Sequence, residues 1–509
     1  MLSKNAIYLL ENRYCLKGET PEGVFKRVAE ALSKGDTKYE EKLYELMVVG
    51  VFLPNSPCLF NAPVGNLHAC FILPIIDDIH SIFTTISNMA YIFKSGGGVG
   101  INFSKLREKN APLAGGGESS GTLSFMEIFD HVVDTVKQGG KRRGALMGIL
   151  NANHPEIFDF IRVKLSGKLQ NFNLSIMVND EFMKASAKNN ETIDIVSPKL
   201  GKIGDARAKD IFDLAAFTSW CNGDPAFLFY DRINKDNPFY PEIPIDTVNP
   251  CSEVALPPYS ACCLGSINLS RFVWKNDFNY DRFYETCKIG MRALETMNEI
   301  STYPLPEIAE MMKQQNPVGL GLMGFADCLI KLGILYDSEE CLEFIDKLGA
   351  VYKQASLDYN PDKFFFYRRI IAPTGSLSLL ADCSSSIEPV YDTAFERSLT
   401  IGKMEEVRDL YKSKYTRTAH QVSPEWHVKV LARWQKWVDG GVSKTVNLPY
   451  DASVDDIKAV YRMAWKEGCK GITVYRNGSR DQVLTGVSPT NKFSLGGSGG
   501  KCSDGTCSL

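Results

Sequence analysis

Near the start of the chain the apolar residues fall on one helical face. Val24, Phe25, Val28, Ala29 and Leu32 recur at three-to-four-residue spacing, the mark of an amphipathic helix. Thr20-Pro21-Glu22-Gly23 supplies a cap and a proline just before it, the usual composition of a helix start. Residues 6 to about 50 are therefore predicted to be a small helical lead-in. Leu53-Pro54-Asn55-Ser56-Pro57-Cys58-Leu59-Phe60-Asn61-Ala62 carries two prolines and predicts a loop. Phe125-Met126-Glu127-Ile128-Phe129-Asp130 opens a further helix that runs to Gln138. Leu169 to Val178 alternates enough to predict a strand, with Asn173 and Ser175 on one face. Ile371-Ala372-Pro373-Thr374-Gly375-Ser376 leaves a strand-like stretch and enters Leu377-Ser378-Leu379-Leu380; hydroxyls and backbone N–H groups at such a junction suit an anion. From 485 to 501 the chain is rich in Ser, Gly, Thr and Asn, as in a flexible tether.

Composition narrows the class. With 509 residues the chain exceeds an ordinary single domain, although α/β barrels reach such sizes. A formal net charge of −3 and a pI near 6.2 provide no global basic field for long nucleic acids or anionic membranes, so any nucleotide contact is local. No apolar run approaches the ~20 residues of a membrane span, and Met1-Leu2-Ser3-Lys4-Asn5 lacks a signal-peptide pattern. A cytoplasmic protein without membrane or direct DNA binding is expected. The fourteen cysteines are scattered, which argues against a disulfide framework and leaves room for thiols that cycle.

Two glycine-rich stretches invite ligand readings. Ser95-Gly96-Gly97-Gly98-Val99-Gly100 lets backbone approach a neighbour closely, and Gly139-Gly140-Lys141-Arg142-Arg143-Gly144 flanks three cations with glycines, a composition that wraps phosphate or offers guanidinium donors to a base. The glycines of Val318-Gly319-Leu320-Gly321-Leu322-Met323-Gly324 lack the acidic residue a dinucleotide fingerprint needs and are assigned to packing. His154, preceding a proline, is read as structural.

The densest chemistry lies in Asn249-Pro250-Cys251-Ser252-Glu253. Pro250 disfavours helix at Asn249, so the segment is read as extended or looped. If extended, Asn249, Cys251 and Glu253 project to one side, placing an amide, a thiol and a carboxyl around one substrate. Asn-Pro is also a common turn dipeptide and most lone cysteines are buried small hydrophobes, so the pentapeptide alone leaves both readings open.

Taken with Ala261-Cys262-Cys263-Leu264-Gly265-Ser266-Ile267-Asn268-Leu269 and with Cys70 in Asn66-Leu67-His68-Ala69-Cys70-Phe71-Ile72-Leu73-Pro74, it resembles the large catalytic subunit of ribonucleotide reductases, particularly the adenosylcobalamin-dependent class II enzymes. The matching segments run in order along nearly the whole chain. The resemblance implies an α/β fold, a ten-stranded α/β barrel with a central catalytic finger loop, preceded by the small helical segment. The division implied is 1–52 helical, 53–484 barrel and 485–509 tail. No segment is long enough for the ATP-binding cone that often precedes this fold, so on/off control at such a cone is not expected.

By the same resemblance, Cys251 becomes a thiyl radical that takes the 3′-hydrogen of a ribonucleotide, di- or triphosphate. Glu253 is the general base, Asn249 holds the sugar, and Cys70 and Cys262 supply reducing equivalents and end as a disulfide. Cys263 competes with Cys262 for that assignment, and register favours Cys262. Ser56, Asn173, Ser175, Pro373, Thr374, Gly375 and Ser376 approach substrate, the last four at its phosphates. Residues 139–144 link a deoxynucleotide or ATP effector to specificity. Cys502 and Cys507, with no further Cys or His nearby to complete a four-ligand metal site, form a mobile dithiol reduced by thioredoxin or glutaredoxin. A homodimer is implied. Tyr475 is followed by Arg476 rather than by the second tyrosine of iron-dependent relatives, which favours adenosylcobalamin as the radical source. Two alternatives are a compact subunit that receives its radical from a ferritin-like metal-containing partner, with no bound cofactor of its own, and a non-catalytic nucleotide-binding regulatory homologue.

Overall fold

Side-chain caps fix where the first helices begin. In the computed structural model, which describes residues 2–136, 144–399, 402–479 and 484–486, Ser3, Thr20 and Asp36 accept hydrogen bonds from the backbone N–H groups of Ala6, Gly23 and Tyr39. They start helices Lys4–Leu9, Pro21–Ser33 and Thr37–Val48, and each cap satisfies a donor that would otherwise be orphaned. Val24, Phe25, Val28, Ala29 and Leu32 are buried, as their spacing predicts. Between the first two helices, Leu10–Tyr14 forms a π-turn. The stretch predicted as a loop over 53–62 instead contains helix Ser56–Asn61. Pro57 sits in its first turn, where a missing N–H costs nothing, and Asn55 Oδ1 accepts from Cys58 N at 3.0 Å.

Among the described residues ten strands share one sheet: β1 Phe52–Pro54, β2 Cys70–Ile72, β3 Gly98–Asn102, β4 Leu146–Asn151, β5 Phe172–Val178, β6 Ala226–Phe229, β7 Ala261–Asn268, β8 Val318–Met323, β9 Thr445–Leu448 and β10 Gly471–Arg476. β2, β3, β4, β5 and β6 run parallel to their neighbours. β7 and β8 are parallel to each other, as are β9 and β10. The two groups meet antiparallel at β2–β7 and at β6–β10. The regular ladder stops between β8 and β9, and two isolated parallel bridges, Leu320 with Arg369 and Ile371 with Val442, span that gap. The barrel is thus made of two oppositely directed parallel halves.

Parallel strands are covered on both faces, and the core divides accordingly. Cys70, Ile72, Met147, Ile149, Met177, Leu228, Cys262 and Leu264 form an interior cluster with Val248 and Val254. The alternate residues of the same strands, among them Phe71, Leu146, Leu150 and Ile176, pack outward in a separate cluster against helices. Helix Tyr280–Ile300 lies over β7 and β8. Helix Thr122–Thr135 begins three residues before the predicted start. Among the described residues no helix is long and apolar enough to cross a membrane.

The segment holding Val248 and Val254 is a narrow loop inside the barrel. Asn249 N donates to Val254 O at 2.9 Å, Ser252 N donates to Asn249 O at 3.0 Å, and Ser252 takes a left-handed φ of 68°. The extended alternative for Asn249–Glu253 therefore fails and the looped one holds. The Asn249 side chain explains the turn: its Oδ1 accepts from Val254 N at 2.9 Å and satisfies the returning strand locally.

Candidate active site

A pair of thiols faces inward at the junction of the two half-barrels. Cys70 of β2 stands opposite Cys262 of β7 in register, both are thiols, and both belong to the interior cluster. Residues directly opposed on antiparallel strands hold their Cβ atoms about 4.5–5.5 Å apart, so small backbone adjustments suffice to reach disulfide geometry. The pleat separates Cys262 from its neighbour. Cys263 points to the outer layer, where its Sγ lies 3.3 Å from Leu294 O and 3.2 Å from Asn298 Oδ1. Of the two, Cys262 is the one paired with Cys70.

The finger loop brings its polar groups to these sulfurs. Asn249, 1% exposed, donates its Nδ2 to Cys70 Sγ at 3.0 Å. Glu253, also 1% exposed, is near enough to Cys262 to act on it electrostatically. Burial pushes the Cys262 thiol well above its usual range, and Cys263, Cys70 and Glu253 push it the same way. Cys262 therefore keeps its proton at neutral pH. Cys251, at the turn, is exposed while the residues two before and two after it are buried.

Glycines let the finger lie against the wall. A Cβ on Gly100 would sit 1.8 Å from Val248 O, and one on Gly98 would sit 3.1 Å from Pro250 Cγ. From the opposite side, Gly441 N donates to Glu253 O at 2.7 Å, and a Cβ there would meet Glu253 Cα at 2.9 Å. Asn173 of β5 donates its Nδ2 to Pro250 O at 2.8 Å. On the same face of that strand, Ser175 is fully buried and its Oγ has no hydrogen-bond partner among the described residues.

The predicted phosphate loop lies one strand away. Ile371 N donates to Gly441 O at 3.2 Å, so residues 369–371 are stapled to the segment that holds Glu253, and Pro373 follows directly. Thr374 adopts a left-handed φ of 55° and opens helix Gly375–Ala381. Its Oγ1 accepts from Ser386 N at 2.7 Å. Arg397 Nη1 donates to Gly375 O at 2.9 Å, and Arg13 Nη1 donates to Ser376 Oγ at 2.9 Å. The Ser56 and Tyr14 hydroxyls share a hydrogen bond of 2.8 Å. Behind this loop, Lys444 is fully buried, with its Nζ 2.7 Å from Glu388 Oε2 and 2.8 Å from His427 Nδ1. Burial lowers the Lys444 pKa and Glu388 opposes that shift.

Sequence reasoning missed Arg13, Tyr14 and Gly441. Arg13 is 363 positions from Ser376, and nothing local signals that separation. A buried arginine beside a tyrosine in an otherwise apolar helical face was the available hint. His154 is structural, as read: its ring lies 2.9 Å from Leu106 O and accepts from Glu156 N at 3.1 Å. Arg476, after Tyr475, lies over Trp220 at 4.0 Å and donates to Trp220 O and Tyr450 O, so it acts as a packing residue. Of the predicted effector loop, Gly144 is packed near Val133 and Phe93. Gly139, Gly140, Lys141, Arg142 and Arg143, like the tail pair Cys502 and Cys507, lie outside the described residues.

The chain also matches known proteins. Residues 68–358 and 364–475 match the family described as ribonucleotide reductase, barrel domain, and residues 1–66 match ribonucleotide reductase, all-alpha domain. A vitamin B12-dependent ribonucleoside-diphosphate reductase of Thermoplasma acidophilum is 39% identical, over 92% of this chain and 70% of that protein. A protein of the same description from Mycobacterium tuberculosis is 35% identical, over 98% of this chain and 84% of its own length. A vitamin B12-dependent ribonucleotide reductase of Streptomyces avermitilis is 26% identical, over 86% of this chain and 60% of that protein. With its barrel and its leading helices both matched, the chain belongs to the ribonucleotide reductase large-subunit family.

Proposed function

We propose that this chain reduces ribonucleoside diphosphates to 2′-deoxyribonucleotides by thiyl-radical chemistry, with adenosylcobalamin as the source of the radical. The observation that carries the reading is the convergence of Asn249, Glu253, Cys70 and Cys262 beneath a turn that presents Cys251. A ribose 2′-hydroxyl leaves poorly until a radical sits on the adjacent carbon. The Cys251 sulfur, once a thiyl radical, takes the 3′-hydrogen, and Glu253 accepts the 3′-hydroxyl proton as general base. The 2′-hydroxyl then departs as water with a proton from the thiol pair, and Glu253 later returns its proton to the 3′-oxygen. Cys70 and Cys262 together give up two hydrogen atoms and become a disulfide, and Cys251 returns the 3′-hydrogen and recovers its radical. In net terms one ribonucleotide and two thiols become one deoxyribonucleotide, one water and one disulfide.

The diphosphate assignment follows the names of the relatives from Thermoplasma acidophilum and Mycobacterium tuberculosis, and the cofactor follows their description as vitamin B12-dependent. The chain fits such a group at one point: Cys251 is exposed on a tip held by Asn173 and seated on Gly98, so a sulfur is open to a donor from outside the interior cluster. The cofactor, when bound, supplies a homolytic radical at that sulfur. A thioredoxin-type reductant reopens the disulfide, a nucleotide effector sets specificity, and the working form is a homodimer.

The test is an assay of the purified chain with all four ribonucleoside diphosphates, a dithiol and adenosylcobalamin. The expected result is deoxynucleotide from the parent and none from Cys251→Ser. Equal turnover by both would refute the role of Cys251.

A further inference from the structure

The leading helices do more than cover the barrel. Arg13 is 6% exposed and lies on the π-turn Leu10–Tyr14. Such turns insert a residue into a helical run and often mark functional positions. This one keeps the adjacent Arg13 and Tyr14 both buried. The two side chains reach two separate elements expected near the substrate, the second of them at its phosphates: Tyr14 shares its hydroxyl with Ser56 Oγ at 2.8 Å, and Arg13 donates to Ser376 Oγ at 2.9 Å. The ring of Tyr14 stacks on Phe60 at 4.7 Å, and the Arg13 guanidinium sits 5.6 Å and 5.7 Å from those two ring centroids.

The electrostatics are unfinished. Arg13 makes one side-chain hydrogen bond, to a neutral hydroxyl. Its Nε is buried with no hydrogen-bond partner among the described residues, and no ion-pair partner of Arg13 occurs among them either. A buried cation normally carries a paired carboxylate, because its lost hydration is otherwise uncompensated. Arg397, which reaches the same loop, obeys this rule and is paired with Glu406 at 2.7 Å. Arg13 does not.

The geometry points to Arg13 as a recognition residue for the phosphate chain of the substrate, which becomes the counter-ion this guanidinium lacks. The inference rests on the proposed reductase function for the identity of the substrate. It assigns the helical lead-in a direct part in binding, with Tyr14 as the positioning residue that ties Ser56 to the same wall. A planar guanidinium suits two phosphate oxygens at once, so the diphosphate is recognised jointly by residues from the N-terminal helices and from the loop at 374–376.

The test compares the parent with Arg13→Met and Arg13→Lys, full-length, by calorimetric titration with inorganic pyrophosphate, by thermal unfolding without ligand, and by steady-state turnover. Losing a charge-assisted contact weakens binding about tenfold or more. Arg13→Met is expected to lose pyrophosphate affinity and to raise KM for the diphosphate by that factor, with kcat within about threefold. Arg13→Lys is expected to recover part of the affinity. Unliganded Arg13→Met is expected to melt no lower than the parent, since removing an unpaired buried charge relieves the free protein. Parent-like pyrophosphate affinity and KM in Arg13→Met would overturn the assignment. So would a fall in affinity matched by lower melting temperatures in both variants, which marks a packing role. If the parent binds pyrophosphate through Arg13 but forms no deoxynucleotide, the reductase reading fails and the anion site stands. If the parent turns over and Arg13→Met matches it, the reverse holds.

Discussion

Replacing Gly100 with alanine should disable the finger loop without touching any reacting group. The added Cβ would lie 1.8 Å from Val248 O and 2.8 Å from Val248 C. That is about 1.6 Å short of ordinary contact with the oxygen, and both atoms belong to backbone, so no side-chain rotation relieves the clash. Either β3 moves away, which breaks its ladders to β2 and β4, or the loop carrying Asn249, Cys251 and Glu253 shifts by an ångström or more. The loop is the softer element, being held chiefly by hydrogen bonds to Asn249, Asn173 and Gly441. A displacement of that size costs on the order of 100-fold in rate when it misplaces reacting groups. The assay is deoxynucleotide formation by Gly100→Ala beside Gly204→Ala, whose added Cβ meets nothing within 4 Å, with thermal unfolding of both. Turnover should fall about 100-fold in Gly100→Ala and stay near the parent value in Gly204→Ala. A Gly100→Ala enzyme within about threefold of the parent would show that the backbone contact does not set the position of the chemistry.

Other consequences separate neighbouring residues or read the buried ionisable groups. Cys262→Ser should stop repeated turnover, whereas Cys263→Ser should keep it, because a hydroxyl can replace the sulfur between Leu294 O and Asn298 Oδ1; turnover numbers with excess dithiol decide between them. Burial lowers the His68 pKa to about 4, against its hydrogen bond to Asn298 Oδ1, so the folded chain refuses a proton that the unfolded chain accepts below about 6.5. Its stabilising contribution is therefore complete above pH 6.5 and lost as pH falls towards 4, by about 3 kcal/mol. Denaturant unfolding across that range should lose this slope in His68→Gln, and an unchanged slope would assign the acid sensitivity elsewhere. Glu253→Gln should lower turnover by roughly 100-fold or more with little change in substrate affinity, the signature of a lost general base.

What the sequence made legible was whatever local chemistry determines. The amphipathic spacing of Val24 to Leu32 and the strand read over Leu169 to Val178, which starts at Phe172, each depend on neighbours within a few positions. The loop predicted over 53–62 became helix Ser56–Asn61 because proline is tolerated in a first turn. The extended reading of Asn249–Glu253 yielded to a turn because Ser252 takes a left-handed backbone and Asn249 bonds across the loop, neither of which follows from side-chain alternation. The ambiguity between Cys262 and Cys263 was one of pleat phase, and only the pairing of Cys70 with Cys262 fixes that phase. Arg13 remained hidden because its contact with Ser376 joins residues 363 positions apart.

The central claim is that Cys70 and Cys262, and not any other pair, supply the electrons that replace the 2′-hydroxyl. A single turnover of the fully reduced Cys502→Ser, Cys507→Ser chain, whose tail can no longer re-reduce an internal disulfide, with adenosylcobalamin and ribonucleoside diphosphate but no external dithiol, followed by alkylation and peptide mapping, measures this directly. The account predicts deoxynucleotide together with a disulfide that links Cys70 to Cys262, and Cys263 alkylated as a thiol once the chain is unfolded. Deoxynucleotide formed with Cys70 and Cys262 both still reduced, or with Cys263 in the disulfide, would contradict it.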